Sequence, residues 1–385
     1  MRITTTTTYR NYTNSVNEVH GRLNKSMKKV ETGKAYDSAS ENPLAYYEGK
    51  KIDNQYQDTL NKLSLMTNVK NRIYQQELGA RSIQKLLSEA KTKVEYIISD
   101  SNNGSTQQVE TTRDALLQKQ QAMINDLNGK YQNYYIYGGN DATTPPFALS
   151  DDGTKLTFTH QFAGHKFTTE MVMELKDKGN GVYQYEFSGT ENSTPPRTLT
   201  SDETLTAIVK SMKETGYVDV GYGSISDRDT LLNTFTGGLN MLTGLSADAV
   251  KTMDPDTAKA EIEKRLNNGP IGLIGQAVMA TNKFLNGGDK AEFSDTLSNV
   301  METMTETEHS VSTVYSDLGN KYALLESTED KLNLMKQNLT EQYKDIMGAD
   351  PYEAITEMFS YQQSYNAALK VGSQLMTSSL FDFMR

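Results

Sequence analysis

Four histidines are the first residues to consider for chemistry, because imidazole binds transition metals and exchanges protons near neutral pH. They are His20, His160, His165 and His309. His160 and His165 lie on a segment predicted to be β-structure, but no third ligand stands beside them at a metal-binding spacing. We therefore expect all four histidines to be surface residues and predict no metal site.

The other motifs that could carry chemistry are weak or absent. Gly221-Tyr222-Gly223 follows a predicted strand, but it lacks the third glycine of a dinucleotide-binding loop and opens no helix. The sequence has no phosphate-binding loop, no Gly-x-Ser-x-Gly nucleophile turn and no helix–loop–helix calcium loop. Four aspartates fall in predicted turns, where short acidic side chains accept backbone hydrogen bonds: Asp151, Asp152, Asp227 and Asp229. The sequence thus predicts no enzyme and no cofactor.

Composition narrows the class of protein further. The chain has 385 residues and no cysteine, which excludes disulfides, thiolate metal sites and cysteine nucleophiles. Only 36% of the residues are hydrophobic, which favours an elongated shape over one thick core. The net charge of −10 argues against nucleic acid as a partner. The sequence contains no run of about 18 apolar residues, so we expect no membrane insertion.

The N-terminal region departs from this acidic balance. It opens with Met1-Arg2-Ile3 and five threonines, without the apolar region of a cleavable signal peptide. If the protein is exported, we expect a route that reads no such signal. The first 34 residues are locally basic. A solvated helix face is the preferred interpretation, and a basic arm that contacts an acidic surface is the alternative.

Both ends of the chain carry apolar residues at helical spacing. The N-terminal set recurs at steps of three and four residues, is broken only at Ser26, and comprises Tyr9, Tyr12, Val16, Val19, Leu23 and Val30. The C-terminal set keeps an unbroken seven-residue period and comprises Met304, Val311, Leu318, Leu325, Leu332, Leu339 and Ile346. Such spacing places each set on one face of a helix that needs a partner. We therefore predict a rod with both termini together and further copies of the chain alongside.

Start and stop signals predict the order of the helices. The first helix is expected over about residues 8–32 and ends at Gly33, a favourable helix cap. Pro43 fits the first turn of a second, long helix, whose apolar register from residue 66 to residue 97 has one polar member, Gln76. Gly348 interrupts the long C-terminal helix, and Asp350-Pro351-Tyr352-Glu353 predicts a capping box that starts a last helix.

The middle of the chain and its last helix differ from these amphipathic segments. Residues 148–199 predict short strands, with turns at Asp151-Asp152-Gly153 and Gly179-Asn180-Gly181. The last helix is apolar around much of its circumference, so an isolated subunit would leave apolar surface in water unless its own core covers that surface. We predict subunit assembly through both terminal helices, at Tyr9, Tyr12, Val16, Val19, Leu23, Val30, Ile355, Phe359, Leu369, Leu375, Leu380 and Phe381.

Several motifs resemble the flagellin superfamily. Thr32-Gly33-Lys34, with small polar residues before Pro43, is similar to the superfamily's N-terminal turn, although Glu41-Asn42 stands in place of two aspartates. Three segments are similar to the proteins of the hook–filament junction within this superfamily, and the last of them resembles these proteins more than ordinary flagellin. They are Asn128-Gly129-Lys130-Tyr131 through Gly138-Gly139 to Pro146-Phe147, Asp317-Leu318-Gly319-Asn320-Lys321 with Leu325-Glu326, and Ser379-Leu380-Phe381-Asp382-Phe383.

The residue patterns and the resemblance together predict the fold class. The patterns predict a mainly α protein: an elongated antiparallel helical bundle or coiled-coil rod, formed by the N- and C-terminal regions, with a small β-rich inserted domain. The resemblance implies that the terminal helices form an inner layer, the long helices a middle layer and the β-rich insertion the outer part. The predicted divisions are 1–43 and 347–385 for the inner layer, 44–147 and 216–346 for the rod, and 148–215 for the insertion.

The resemblance also implies a function. It implies a structural part of the extracellular bacterial flagellum, exported unfolded through the flagellar type III apparatus. The implied partners are flagellin, the first hook-associated protein, further copies of this chain in a ring or helical layer, and a flagellar export chaperone. Our main hypothesis is an adaptor whose terminal helices fold on assembly. The alternatives are ordinary flagellin, which builds the filament, and an enzyme or ligand-binding module in residues 148–215 carried on a helical stalk.

Overall fold

The computed structural model describes residues 2–99, 105–214, 216–220, 231–233 and 236–383. These residues fall into two compact units. The terminal unit comprises Met1–Ser64 and Asp330–Arg385, and the central unit comprises Leu65–Glu329. Among the described residues, none of the helices is both long enough and apolar enough to cross a membrane.

The described chain is mainly helical, as predicted. Its helices are α1 (Arg2–Thr32), α2 (Pro43–Ile98), α3 (Thr106–Leu127), α4 (Ser201–Lys213), α5 (Gly238–Thr243), α6 (Ala247–Thr252), α7 (Pro255–Asn267), α8 (Pro270–Leu285), α9 (Lys290–Met347) and α10 (Pro351–Phe383). Its strands are β1 (Lys130–Tyr131), β2 (Tyr134–Tyr135), β3 (Phe147–Leu149), β4 (Lys155–His160), β5 (Thr169–Asp177), β6 (Tyr183–Glu191), β7 (Arg197–Leu199), β8 (Tyr217–Asp219) and β9 (Leu231–Asn233). The prediction of a mainly α protein with a small β-rich part is confirmed.

In the central unit, α2 and α9 run antiparallel and share an apolar seam. The rings of Tyr74 and Tyr322 lie 5.8 Å apart, and Lys91 pairs with Glu308 at 3.0 Å. Residue numbers therefore fall along α9 as they rise along α2. The α9 heptad residues of this unit are buried: Met304, Val311, Leu318 and Leu325. The predicted α2 register is also buried, apart from half-buried Val69: Met66, Ile73, Gln76, Ala80, Ile83, Leu87, Ala90, Val94 and Ile97. This is the packing that the two periodic patterns predict.

Gln76, the one polar residue in that register, has a specific hydrogen-bonding role. It is fully buried, and its Nε2 group donates to the carbonyl of Ile136 at 2.6 Å and to that of Thr236 at 2.9 Å. The hydroxyl of Tyr137 donates to the backbone carbonyl of Gln76. An isolated β-bridge joins Gly138 to Gly237 beside this point. Gln76 therefore holds two distant segments against α2, which explains why a polar residue is buried there.

The β-rich part is a five-stranded antiparallel sheet in the order β3-β4-β5-β6-β7. Alternate residues of β5 and β6 are buried, as the two-residue period of a strand requires. This buried face packs against helices of the central unit, and the Oδ1 atom of Asn267 accepts a 2.7 Å hydrogen bond from the backbone N–H of Tyr185. Gln120 of α3 donates to the carbonyls of Gly153 and Ile271. The sheet thus shares one apolar core with α3, α4, α7 and α8.

In the terminal unit, the turn after α1 and the turn after α9 are joined through their backbones. Gly33 has φ +67°, the left-handed conformation predicted for a helix cap, and its carbonyl accepts from Ala349 N–H at 2.9 Å. Ala35 N–H donates to the carbonyl of Met347 at 2.7 Å. Asp350 caps α10, because its Oδ1 atom accepts from the N–H groups of Tyr352 and Glu353.

Candidate assembly interface

The two terminal helices form an antiparallel pair. The Tyr12 hydroxyl donates to the carbonyl of Ala368 at 2.8 Å, and the rings of His20 and Tyr365 lie 5.2 Å apart. Nearer the turns, Lys29 Nζ lies 3.2 Å from Glu357 Oε2. Residue numbers rise along α1 as they fall along α10 across all three contacts. The predicted N-terminal stripe therefore meets α10 within the same chain.

This pairing covers the N-terminal stripe only partly. Leu23 is buried at 9% exposure, whereas Val30 is 39% exposed. The remaining predicted residues of this stripe are half-buried: Tyr9, Tyr12, Val16 and Val19. Ser26, which interrupts the stripe, is buried, and its hydroxyl donates to the carbonyl of Leu23 in its own helix. Leu23 is thus the one buried residue of the predicted stripe, and the other side chains keep part of their surface accessible to solvent.

The predicted residues of α10 are still more accessible. Ile355 is 41% exposed, Phe359 55% and Leu369 46%. Tyr352, one turn before them, is 84% exposed. Leu375, Leu380 and Phe381 lie in the part of α10 whose side chains the structure does not describe. The helical period of about 100° per residue places the four exposed side chains within roughly a third of the circumference, beside the face that contacts α1. We call Tyr352, Ile355, Phe359 and Leu369 the open stripe.

Other exposed apolar residues of the terminal unit lie outside the predicted interface set. They are Met27, Leu44, Tyr47, Leu334 and Val371. Leu44 and Tyr47 are 67% and 69% exposed in the first turns of α2. Their three-residue spacing directly after Pro43 was the available signal, but these residues were assigned to the start of the rod helix.

The balance of buried and exposed apolar residues distinguishes the two units. Among the described residues of the terminal unit, six hydrophobic side chains are buried: Leu23, Ile52, Leu332, Leu339, Met347 and Ala354. Ten large hydrophobic side chains are exposed in the same unit. In the described central unit, 54 are buried and seven are exposed. The terminal unit therefore exposes more large apolar groups than it buries, which is typical of a surface that other chains cover.

Charge distinguishes the units as well. The terminal unit carries 15 Lys and Arg residues against 14 Asp and Glu, a net charge of +1. The central unit carries 24 basic and 35 acidic residues, a net charge of −11. Because like charges repel, closely stacked copies of the terminal unit would meet much less repulsion than copies of the central unit.

The basic residues of α1 are neutralised mainly by acidic residues of the same unit. Lys25 Nζ lies 2.8 Å from Glu41 Oε1, and Lys28 pairs with Asp37. The hydrogen bond from Lys25, followed by one from the backbone N–H of Asp37, lowers the pKa of Glu41 below its ordinary value. These pairs fasten the turn between α1 and α2. They agree better with the interpretation of a solvated, internally paired face than with a free basic arm.

The four histidines considered for chemistry differ in their exposure. His20 and His309 are exposed and His165 is half-buried, but the prediction of a surface position is wrong for His160, which is 2% exposed. Its Nε2 atom lies 3.1 Å from Glu214 Oε2. The cause is strand alternation, because His160 shares the inward face of β4 with Leu156 and Phe158.

No cluster of three potential metal ligands occurs among the residues that the structure describes. Asp152 accepts hydrogen bonds from Thr154 within a turn, as predicted. Gly221-Tyr222-Gly223, Asp227 and Asp229 lie outside the described residues.

Comparisons with known proteins find similarity to flagellar proteins. Residues 301–384 match the family described as the bacterial flagellin C-terminal helical region. The fold matches that of a "putative flagellar hook-associated protein" from Vibrio parahaemolyticus, with a TM-score of 0.50 and 11% sequence identity over 80% of this chain and 100% of that chain. No curated protein matches the sequence. The predicted resemblance to the flagellin superfamily is thereby confirmed.

Proposed function

We propose that this flagellin-like, hook-associated chain is the structural adaptor between the flagellar hook and the flagellin filament, the role of flagellar hook-associated protein 3. It would bind the first hook-associated protein on one side and flagellin on the other, in a ring or helical layer of identical copies outside the cell. The family match at residues 301–384 and the fold match support a flagellar structural role. The sequence motifs from Asn128 to Phe147 favour the junction over the filament.

The observation that carries the proposal is the surplus of exposed apolar residues in the terminal unit. Complete burial of a large apolar side chain contributes about 1.5–3 kcal/mol, so half-exposed side chains could each gain on the order of 1 kcal/mol from a partner. Ordering the backbone costs about 1–2 kcal/mol per residue. A pair of terminal helices with few buried contacts therefore needs neighbouring subunits to become fully stable.

This balance makes assembly conditional on a template. A free subunit would hold α1 and α10 weakly, and a subunit at the end of the hook would cover the open stripe with adjacent chains. Coupled folding of this kind restricts polymerisation to the place where all partners are present. The lack of cysteine suits export of an unfolded chain, which a flagellar chaperone would accompany, because no disulfide could form before passage.

A reconstitution tests the junction role. Isolated hooks that carry the first hook-associated protein are incubated with this protein and then with flagellin monomers. We expect filaments to grow only on hooks that received the protein, as counted by electron microscopy. Equal growth on untreated hooks, or failure of the protein to bind them, would contradict the proposal.

A second candidate function is the filament subunit itself. The matched C-terminal family is named for flagellin, which favours this alternative. The two functions differ in self-assembly, because a filament subunit elongates indefinitely whereas an adaptor stops after a layer. We expect the purified protein to form no long filaments under conditions in which flagellin does. Long filaments of this protein alone would support the second function.

A further inference from the structure

We propose that Gly372 and Tyr12 together fix the register of α1 against α10, and thereby determine how the open stripe is presented to neighbouring subunits. This inference rests on the proposed assembly function. It concerns a single contact between the terminal helices, whereas the proposed function concerns their partners.

The contact depends on the missing side chain of Gly372. In an α-helix the carbonyl of residue 368 already accepts from the N–H of residue 372, and its second lone pair is free for another donor. The Tyr12 hydroxyl donates to this carbonyl at 2.8 Å. A methyl group added at Gly372 would overlap the hydroxyl oxygen and the ring of Tyr12. Gly372 therefore opens the one place on α10 where the tyrosine reaches the backbone.

The sequence offers no second place of this kind on α10. Gly372 is the only glycine between residues 351 and 383. If α10 slid by one or two helical turns, Tyr12 would meet a residue with a side chain and would lose this acceptor. A polar contact at one position of an otherwise apolar seam is a known means of selecting one register from several.

Two further contacts fix the same register. The backbone bridge between Lys34 and Gly348 fixes the end of the pair near the turns. The Lys29–Glu357 pair lies between this bridge and Tyr12. The apolar residues alone specify the register weakly, because Leu23 is the one buried member of the predicted α1 stripe and the residues of the open stripe are 41–84% exposed. Tyr12 and Gly372 fix the far end of the pair.

Gly21 provides a matched control within the same helix pair. It lies in α1, and a methyl group added there would meet no atom within 4 Å. Gly21→Ala and Gly372→Ala make the same chemical change and gain the same helix propensity. They differ in the overlap with Tyr12, so a difference between the two variants reports that contact.

Carbodiimide cross-linking reports the register of α1 against α10 without any added cysteine or label. This reagent joins adjacent amino and carboxyl groups directly, and Lys29 Nζ lies 3.2 Å from Glu357 Oε2. The Lys28–Asp37 pair at the α1–α2 turn provides an internal reference. The ratio of the two cross-linked peptides, measured by mass spectrometry, reports the α1–α10 register independently of overall yield.

The experiment uses the full chain, both free and bound to hooks that carry the first hook-associated protein. We expect Gly372→Ala to lower the Lys29–Glu357 ratio at least fivefold in the bound state, and Gly21→Ala to leave it within a factor of two. Tyr12→Ala removes the hydrogen bond and should lower the ratio by itself. Gly372→Ala added to Tyr12→Ala should lower the ratio no further, because the overlap is gone. Such non-additivity would not arise from a general loss of stability.

The outcomes separate the inference from the proposed function. If the wild-type chain binds hooks and the two alanine variants give the same ratio, the register inference is wrong and the adaptor function stands. If the chain does not bind hooks, but in the free chain Gly372→Ala lowers the ratio and Gly21→Ala does not, the inference stands and the adaptor function is wrong. An unchanged ratio in both states, or a further fall when Gly372→Ala is added to Tyr12→Ala, would overturn the inference.

Discussion

The terminal and central units have the same apolar periodicity but bury it to different extents. In the central unit, α2 and α9 bury their stripes apart from half-buried Val69, and the sheet and shorter helices add to one core. In the terminal unit, α1 and α10 also pair, but among its described side chains ten large apolar ones stay exposed against six buried hydrophobic ones. The difference shows that a periodic stripe predicts a need for a partner, while the thickness of the surrounding core decides whether the chain itself meets that need.

Charge strengthens this contrast. The net charge of −11 on the central unit favours solubility and keeps copies apart, whereas the terminal unit is almost neutral. A surface that exposes apolar side chains and has a net charge near zero is suited to close contact with further copies of itself. This contrast agrees with the proposed assembly role of the terminal unit.

The strongest test of this contrast is a cavity in the central core. Ile83→Ala removes a fully buried side chain from the α2–α9 seam, so we expect a loss of about 2–5 kcal/mol in the free energy of unfolding. Urea unfolding followed by circular dichroism measures it. Leu78→Ala on the same helix is the control, because Leu78 is 44% exposed and should lose much less. Equal losses would mean that the α2 seam is not the stabilising core.

The open stripe should behave in the opposite way. Phe359→Ser removes a side chain that is 55% exposed, so the unfolding free energy of the monomer should change by less than about 0.5 kcal/mol. Binding to hooks that carry the first hook-associated protein (capped hooks) should weaken about tenfold or more, because a partner would bury the Phe359 ring. A sedimentation assay measures the binding. Leu324→Ser, at a 45% exposed position of the central unit, is the control and should bind normally.

The start of α10 provides a smaller, local effect. Asp350→Ala removes the acceptor of two backbone N–H groups, and a lost helix cap costs about 1 kcal/mol. Amide hydrogen exchange should accelerate in the first turns of α10 and stay unchanged in the central unit. Glu341→Ala, at an exposed position of α9, should leave the exchange of both units unchanged. Acceleration throughout the chain would mean that the two units unfold together.

The smallest effect concerns pH at the α1–α2 turn. The Lys25 hydrogen bond lowers the pKa of Glu41 below its ordinary value of 4.5. Since the pKa is lower in the folded state, the pair stabilises the turn above pH 4.5, and this contribution is lost as the pH falls through the folded-state pKa. We expect exchange near Glu41 to accelerate, after correction for intrinsic rates, as the pH falls below 4.5. Glu41→Gln should abolish this acid-dependent component.

The sequence predicted the parts of the fold that depend on local rules. The long-helix stripes, the Gly33 cap, the break at Gly348 and the cap at Asp350 were all visible, because spacing and capping residues determine them. The heptad set was correct except at its end, where Met347 is buried and Ile346 is only half-buried. Met347 packs closely over Gly49, a contact that no periodicity within α9 can reveal.

Long-range contacts account for what the sequence did not predict. Gln76 was seen only as a break in a stripe, because its two carbonyl partners lie 60 and 160 residues away in the chain. His160 was placed on the surface although its alternation with Leu156 and Phe158 indicated the inward face. The assembly residues remain a prediction. The exposure of Ile355, Phe359 and Leu369 is consistent with it, and Leu23 is already covered within the chain.

The central claim is that the terminal helices depend on partners and the central unit does not. Amide hydrogen exchange of a verified monomer, compared with the protein bound to capped hooks, tests it most directly. We expect α1 and α10 to exchange rapidly in the monomer and to become protected on the hook, while α2 and α9 between residues 65 and 329 are protected in both. Terminal helices as well protected as the central unit in the monomer would contradict the account.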